Sequence, residues 1–467
     1  MRLPLTLVAI SATLAACAPA LPPVSEARLV PEIWSQGALR AEAGVDDRWW
    51  TTFGDARIDR LVALAEASDD IAIARARLAE ADSRTLRARA LLRPEARASI
   101  GAETQRVDDL EQSQTDGLAS LVWAPDLNGA AGARARAADA AFVAETARLA
   151  AVRQATRASA VRLYVLWAEA EARLAAAEAG VAALEETLEV AEARAAAGLT
   201  SGLDPAAARA ELARARVRPP AALQAAQEAR LGLEALLGLA SGALADQSPA
   251  LPLTARAPGA APPLTVLAGR PDIVAAEAEL LGAGFEAEAA RRDFWPNVSL
   301  SAALGGRWVE PETPFSVTAG LGTLGASIAA PLFSFGRLEA ARDGADARRE
   351  LAALTYRRTA TLALAEVETA LSALAGAGSR VEMLELALVA ARDRQALASQ
   401  RHRAGLTSSL DVLVADLGVS EVQAELAGAR ADAARAWIAL CVAQGLGTAE
   451  GLQVEPTGSQ AALSGVR

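Results

Sequence analysis

The chain is poor in the residues on which most catalytic and metal chemistry depends. Its 467 residues include two cysteines and one histidine, and aromatic side chains make up 4% of the total. A single His402 excludes histidine clusters as metal sites, and any Ser-His-Asp arrangement would have to be assembled around that one position. No glycine-rich phosphate loop follows a predicted strand, and nothing in the sequence calls for a cofactor. An enzyme is therefore not expected. Lysine is missing, so every basic residue is arginine, and the net charge is −11. An acidic chain with scattered arginines has no basic face for a phosphate backbone, which argues against a nucleic-acid partner. With Cys17 and Cys441 as the only thiols, no disulfide framework can carry the fold. Cys441 lies on a helical pattern and reads as a small buried apolar residue.

What is present begins at the amino terminus. Arg2 precedes a short apolar run from Leu3 to Leu14, the length of a signal-peptide core and too short to span a bilayer. Leu14-Ala15-Ala16-Cys17 follows and resembles a bacterial lipobox. That resemblance implies cleavage before Cys17 and lipid attachment there. The expected organisation is a signal peptide at 1–16, a lipid-anchored segment at 17–56, a first repeat at 57–258, a second at 259–446 and a tail at 447–467.

The repeats rest on internal similarity. The octapeptide at 197–204, AGLTSGLD, recurs at 404–411 as AGLTSSLD, with seven of eight positions matching at a spacing of 207. Each copy reads as helix, strand, turn, strand, very long helix, tip turn, helix. Residues 130–197 and 337–404 contain no proline, and 68 residues of helix make a rod of roughly 100 Å. In the second rod Ala360, Val367, Leu374, Val381 and Leu388 recur every seven residues with small residues three positions on, a seam for close helix pairing. The shorter helices expected at 57–93 and 204–238, and at 264–294 and 411–445, would stack end to end to match one rod each. Pro219-Pro220 should kink or unwind the second of these. At the tips Gly198 and Gly405 are placed to end the descending helices with positive φ. Asp204 and Asp411 are placed to cap the ascending ones, with Pro205 at the first helical position.

The strand candidates alternate. Val298, Leu300, Ala302 and Leu304 interleave with small or polar residues, as do Phe315, Val317, Ala319 and Leu321, the dyad pattern of a membrane β-barrel with a wet lumen. The phase flips near Thr323, where the chain is expected to leave the membrane. In the first copy Ala98, Ile100 and Ala102 alternate, but 115–123 does so poorly. Four strands cannot close a barrel, and an open edge is not viable in lipid, so the protomer is expected to oligomerise.

Together these residues resemble the TolC/OprM-like outer-membrane efflux factor family, in its lipoprotein branch. The resemblance covers nearly all of the mature chain. Trp49-Trp50-x-x-Phe53-Gly54-Asp55 is similar to the family's opening, Arg270-Pro271-Asp272-Ile273 to the start of its second copy, and Trp295-Pro296 to its entry into the strands. The fold class this implies is an α+β membrane protein: an internally duplicated long α-helical barrel plus four β-strands per protomer, contributing to a trimeric 12-stranded transmembrane β-barrel. The resemblance also implies a homotrimer in outer-membrane lipid, docked on a periplasmic adaptor (membrane fusion) protein and coupled to an inner-membrane RND-type pump. Gly198, Leu199, Gly405 and Leu406 would then lie in adaptor-docking tips and Asp204 and Asp411 at the periplasmic constriction. Arg194 and Arg401, one turn up, become candidate ion-pair partners, and His402 a residue of the tip surface. The expected function is a passive exit duct for small molecules. A channel for type I protein secretion or a lipid-anchored periplasmic coiled-coil scaffold are the alternatives. Asp126-Leu127-Asn128-Gly129 departs from the Phe335-Gly336-Arg337 junction of the second copy, which puts the first junction in question.

Overall fold

The computed structural model describes residue 34 and residues 47–107, 110–251, 261–311 and 317–448. Cys17, the signal peptide, Phe315 and all of the tail beyond Thr448 lie outside them. Two helices dominate, α3 (Ala130–Ala196) and α8 (Arg337–Arg403), each of 67 residues and thus about 100 Å long. Their ends fall within one residue of the expected limits, because glycine bounds both sides. Gly129 and Gly336 precede them with φ of 75° and 84°, and Gly198 and Gly405 follow the terminal alanines with φ of 71° and 72°. The variant first junction is capped by its own side chains. Asp126 accepts hydrogen bonds from the N–H groups of Ala131 and Gly132 at 3.0 and 2.7 Å, and Asn128 Oδ1 accepts from Ala130.

The shorter helices are more divided than expected. The segment anticipated at 57–93 is α1 (Ala56–Ala65) and α2 (Asp69–Ala90), interrupted before the buried Ser68. The next is α4 (Leu203–Ala215) and α5 (Arg218–Leu236): the helix stops ahead of Pro219-Pro220 and restarts with both prolines in its first turn, where no N–H is required. In the second half come α6 (Pro263–Gly269) and α7 (Pro271–Arg292), then an unbroken α9 (Ser409–Ala443). End-to-end stacking holds. Thr85 and Arg89 of α2 reach Ala138 and Asp139 of α3, while Arg209 of α4 reaches Glu192 at the other end. Beside α8, Arg291 of α7 binds Asp346, and Arg430 of α9 binds Glu385. Of the seam in α8, Ala363, Val367, Ala370, Leu374 and Ala377 are buried.

The scarce aromatics are concentrated at mid-height. Trp34, Trp49, Trp50, Trp167 and Trp437, five of the eight tryptophans, share one core with Phe53 and Tyr164. Trp49 and Phe53 lie 5.8 and 5.0 Å from the Trp437 ring, so the Trp-Trp-x-x-Phe segment seats on the end of α9. Trp34 Nε1 donates to Ala261 O at 2.8 Å and ties the N-terminal segment to the start of the second half. Cys441 is fully buried in this core, as its pattern implied.

The strands form one antiparallel meander: β1 (Glu95–Val107), β2 (Leu110–Trp123), β3 (Asn297–Pro311) and β4 (Val317–Ala329), in that order. The poorly alternating 115–123 is strand throughout, where the order of the repeat put one, paired on both sides. One expectation is corrected. The phase flip at Thr323 does not end β4, which stays in register with β3 to Ala329.

Candidate conduit and periplasmic tips

The pairing register sorts the sheet into two faces. Ala98, Ile100, Ala119, Leu121, Val298, Leu300, Ala302, Leu304, Leu324, Ala326 and Ile328 fall on one, because Ala98 pairs Ala119, Ala119 pairs Leu304, and Ala302 pairs Leu324. Trp308 shares this face and covers the bare backbone of Gly117 and Gly306. The opposite face holds Glu95, Arg97, Glu103, Gln114, Asp116, Ser299, Ser301, Arg307, Thr323 and Ser327. All five charged side chains described in the body of the sheet are on that side. The hydrogen bonds agree: Arg307 Nε donates to Asp116 Oδ1 at 2.7 Å, Gln114 to Asp116 Oδ2 at 2.7 Å, and Ser299 and Ser327 hydroxyls meet at 2.7 Å. The expected apolar set of β4 is corrected: positions 317, 319 and 321 pair on the charged face, and the flip marks where the apolar face changes from Thr318, Gly320 and Gly322 to Leu324, Ala326 and Ile328. The alternation of β2 is weak in the sequence because that face carries Thr115 and Gly117 between its apolar residues.

At the far end of the rods the two tips share one geometry. The N–H of Leu199 bonds to Arg194 O and that of Leu406 to Arg401 O, both at 2.9 Å, closing each helix through its glycine. Leu199 and Leu406 are each 69% exposed, and Leu203 and Leu410 beside them are exposed too. The caps differ from expectation. Helix α4 starts after Gly202, so Asp204 sits inside its first turn and Pro205 two positions past the helix start. In the second tip Ser408 is the N-cap and Asp411 its capping-box partner, accepting from Ser408 N–H and Oγ at 3.2 Å. A carboxylate in the first turn remains favourable to the helix dipole, which is why either position tolerates aspartate. Among the described residues, neither Arg194 nor Arg401 forms an ion pair with Asp204 or Asp411 within the chain. His402 is not a tip-surface residue. It is buried, and its Nδ1 donates to Thr407 O at 3.1 Å, bracing the turn from beneath.

One buried group above the tip was not singled out. Asp416 of α9 accepts from Thr187 Oγ1 of α3 at 3.1 Å and from Gln395 Nε2 of α8 at 2.9 Å. Burial pushes its pKa up, partly offset by these two hydrogen bonds, and Glu186 adds to the rise. The available signal was its place on the stripe Ser409, Leu413, Asp416, Ser420, all buried at helical spacing. No group of three or more metal-ligating side chains converges among the described residues.

A sheet with one apolar and one charged face, joined to rods of this length, matches known proteins. Residues 61–239 and 263–446 match the family described as outer membrane efflux protein. The chain belongs to that family. Pyoverdine export outer membrane protein OpmQ of Pseudomonas putida is 30% identical over 471 residues, covering 96% of this chain and 98% of that one. Toluene efflux pump outer membrane protein TtgF of Pseudomonas putida is 30% identical over 338 residues, 70% of this chain and 69% of that one. Among solved structures, the outer membrane protein VceC of Vibrio cholerae superposes with a TM-score of 0.77 at 26% identity, covering 86% of this chain and 98% of its own. The CmeC channel of Campylobacter jejuni shares the fold with a TM-score of 0.82 at 18% identity, over 93% and 98% of the two chains. This outer membrane efflux protein is therefore a non-enzymatic outer-membrane channel, the exit duct of an efflux system that works with adaptor and pump partners. Its long helices form the periplasmic extension.

Proposed function

We propose that three copies assemble so that their four-stranded sheets close into one 12-stranded barrel, continued by a helical barrel to the periplasmic tips. The carrying observation is the segregation of the sheet: an apolar face for lipid, a charged face for water, and edges at β1 and β4 with no partner among the described residues. Unpaired edges are not tolerated in hydrocarbon, and closure between protomers removes them. The helices support the same assembly. Leu351, Leu362, Met383, Leu386, Val389 and Leu397 of α8 are exposed in the single chain, a stripe suited to a neighbouring protomer.

In this reading Cys17 carries the lipid that anchors the chain to the outer membrane. The exposed Leu199 and Leu406, with Gly198 and Gly405, dock on the periplasmic adaptor of an RND-type pump, and Asp204 and Asp411 ring the periplasmic constriction. Arg194 and Arg401 are the candidate ion-pair partners of those aspartates in the assembled tips. The cargo is small molecules, as the names of the pyoverdine and toluene relatives support. The repeat limits 57–258 and 259–446 and the tail at 447–467 belong to the same reading.

Electron microscopy of the full chain extracted in detergent tests the assembly: threefold particles with a rod about 100 Å long are expected, and monomers would overturn it. Asp204→Ala with Asp411→Ala is expected to raise single-channel conductance in planar bilayers, and unchanged conductance would leave both residues without a gate role. The intact mass of the mature amino terminus tests lipidation, which Cys17→Ser is expected to abolish.

A further inference from the structure

The charged face carries a cross-strand pair that the duct reading does not use. Asp116 lies near the middle of β2 and Arg307 beside it on β3, in register and bonded at 2.7 Å, with Gln114 holding the second carboxylate oxygen. Their side chains are 36% and 46% exposed. Gly101 is the register partner of Asp116 on its other side, and Gly305 lies two residues from Arg307 on the same face, so the pair is flanked by bare backbone. An ion pair this exposed adds little to stability. Its consequence is electrostatic: each charge cancels the other's field in a water-filled passage. A second pair on this face, Glu95 with Arg97 at 2.8 Å, lies within β1 at the sheet end nearest the helices.

We infer that Asp116 and Arg307 are a specificity-determining charge pair of the membrane section, a ring of three neutralised pairs that itself favours neither cationic nor anionic cargo. The inference rests on the sheet closing around a lumen in the trimer. Loss of one partner leaves three like charges around the duct and makes that section selective by sign.

The test places a thiol beside the pair with Gly101→Cys, where a side chain meets nothing within 4 Å. Cys441 is buried and its thiol pKa is pushed up by burial, so it stays silent, and the parent chain supplies the background. Cationic and anionic methanethiosulfonate reagents are added outside intact cells, and the ratio of their labelling rates is measured. Glu103, on the same face, contributes equally to every variant and cancels. One uncompensated charge roughly 7 Å away in 0.1 M salt changes the ratio about threefold. Arg307→Gln is expected to raise the cationic to anionic ratio by that factor and Asp116→Asn to lower it. The exchange Asp116→Arg with Arg307→Asp is expected to restore it, and 1 M salt to erase all differences. Normal labelling of trimers with the same ratio in every variant would overturn the pair's role while leaving the duct intact. Monomeric chains, or a thiol reached by neither reagent in trimers, would overturn the lumen itself.

Discussion

Ala303 and Leu304 are neighbours in β3 that the register sends to opposite faces, which allows one substitution to be placed in two environments a residue apart. Leu304 is the eighth of fifteen residues in the strand and 72% exposed on the apolar face. In a closed barrel it points at the bilayer midplane. Arginine there costs about 2–4 kcal/mol per site, and three sites per trimer bring the total to roughly 6–12 kcal/mol. Ala303 shares its face with Ser301, Arg307 and Thr323, so arginine there meets water and costs under about 1 kcal/mol. Leu300→Arg, on the same face four residues nearer the start of the strand, is expected to fall between the two because the cost declines toward the interface.

The measurement is the urea concentration at which each full-length variant leaves lipid vesicles, followed by the temperature at which its trimer dissociates in detergent. Leu304→Arg is expected to shift both strongly, with Ala303→Arg close to the parent. Equal shifts, or a larger one for Ala303→Arg, would refute the assignment of faces and with it the barrel.

Trp437→Ala, which empties the mid-height core against Trp49 and Phe53, is expected to cost about 3–5 kcal/mol, read from thermal loss of helical circular dichroism; a change under about 1 kcal/mol would refute the clasp role of the Trp-Trp-x-x-Phe segment. At Asp55 burial opposes ionisation, but hydrogen bonds from Arg57 and Tyr164 prevail and hold its pKa below the usual 3.8. A depressed carboxylate pKa contributes stability above the unfolded value that is lost as pH falls through the folded one. Acid melting curves are therefore expected to flatten in Tyr164→Phe, and an unchanged acid slope would count against the pairing. The Tyr164 phenol, pushed up to about 12 mainly by burial, gives the reciprocal loss only in strong alkali. Asp416 has the opposite sign: its raised pKa means its contribution is present below 3.8 and lost as pH rises through the folded value. Hydrogen exchange in the first turns of α9, corrected for intrinsic rate, is expected to be slower below pH 3.8 than at neutral pH relative to Asp416→Asn; the reverse order would refute the burial argument.

The rods were legible to within one residue because their limits are local: a glycine with positive φ at each end and no proline between. The breaks in the shorter helices were legible where proline marks them, at 219–220, and not at Ser68, where a buried serine and a tight turn leave no such mark. Caps were misplaced for a local reason as well. Asp followed by Pro reads as an N-cap and first residue, but proline needs no N–H anywhere in a first turn, so α4 can begin two residues before Pro205. The polar set of β3 was legible from its alternation, but the charge pairing across the face was not. It depends on which residue of β2 stands opposite which of β3, and Asp116 and Arg307 are 191 positions apart.

That separation bears on why the two halves are one chain. The hairpin of the first half supplies Glu95, Arg97, Glu103 and Asp116 to the wet face, whereas the second supplies Asn297, Ser299, Ser301, Thr323 and Ser327 with Arg307 as its one charge described there. The central ion pair spans β2 and β3, the strands at which the halves meet. The tips have diverged too, since Ser408 caps α9 through Asp411 while Gly202 precedes α4 without a side-chain cap. Six copies of either half could supply twelve strands, but not this pair: two first hairpins would set Asp116 opposite no arginine, and two second hairpins would leave Arg307 unpaired. In the proposed trimer, covalent linkage would fix the alternation of unlike hairpins around the ring, and with it the neutralisation of each Asp116 by an Arg307.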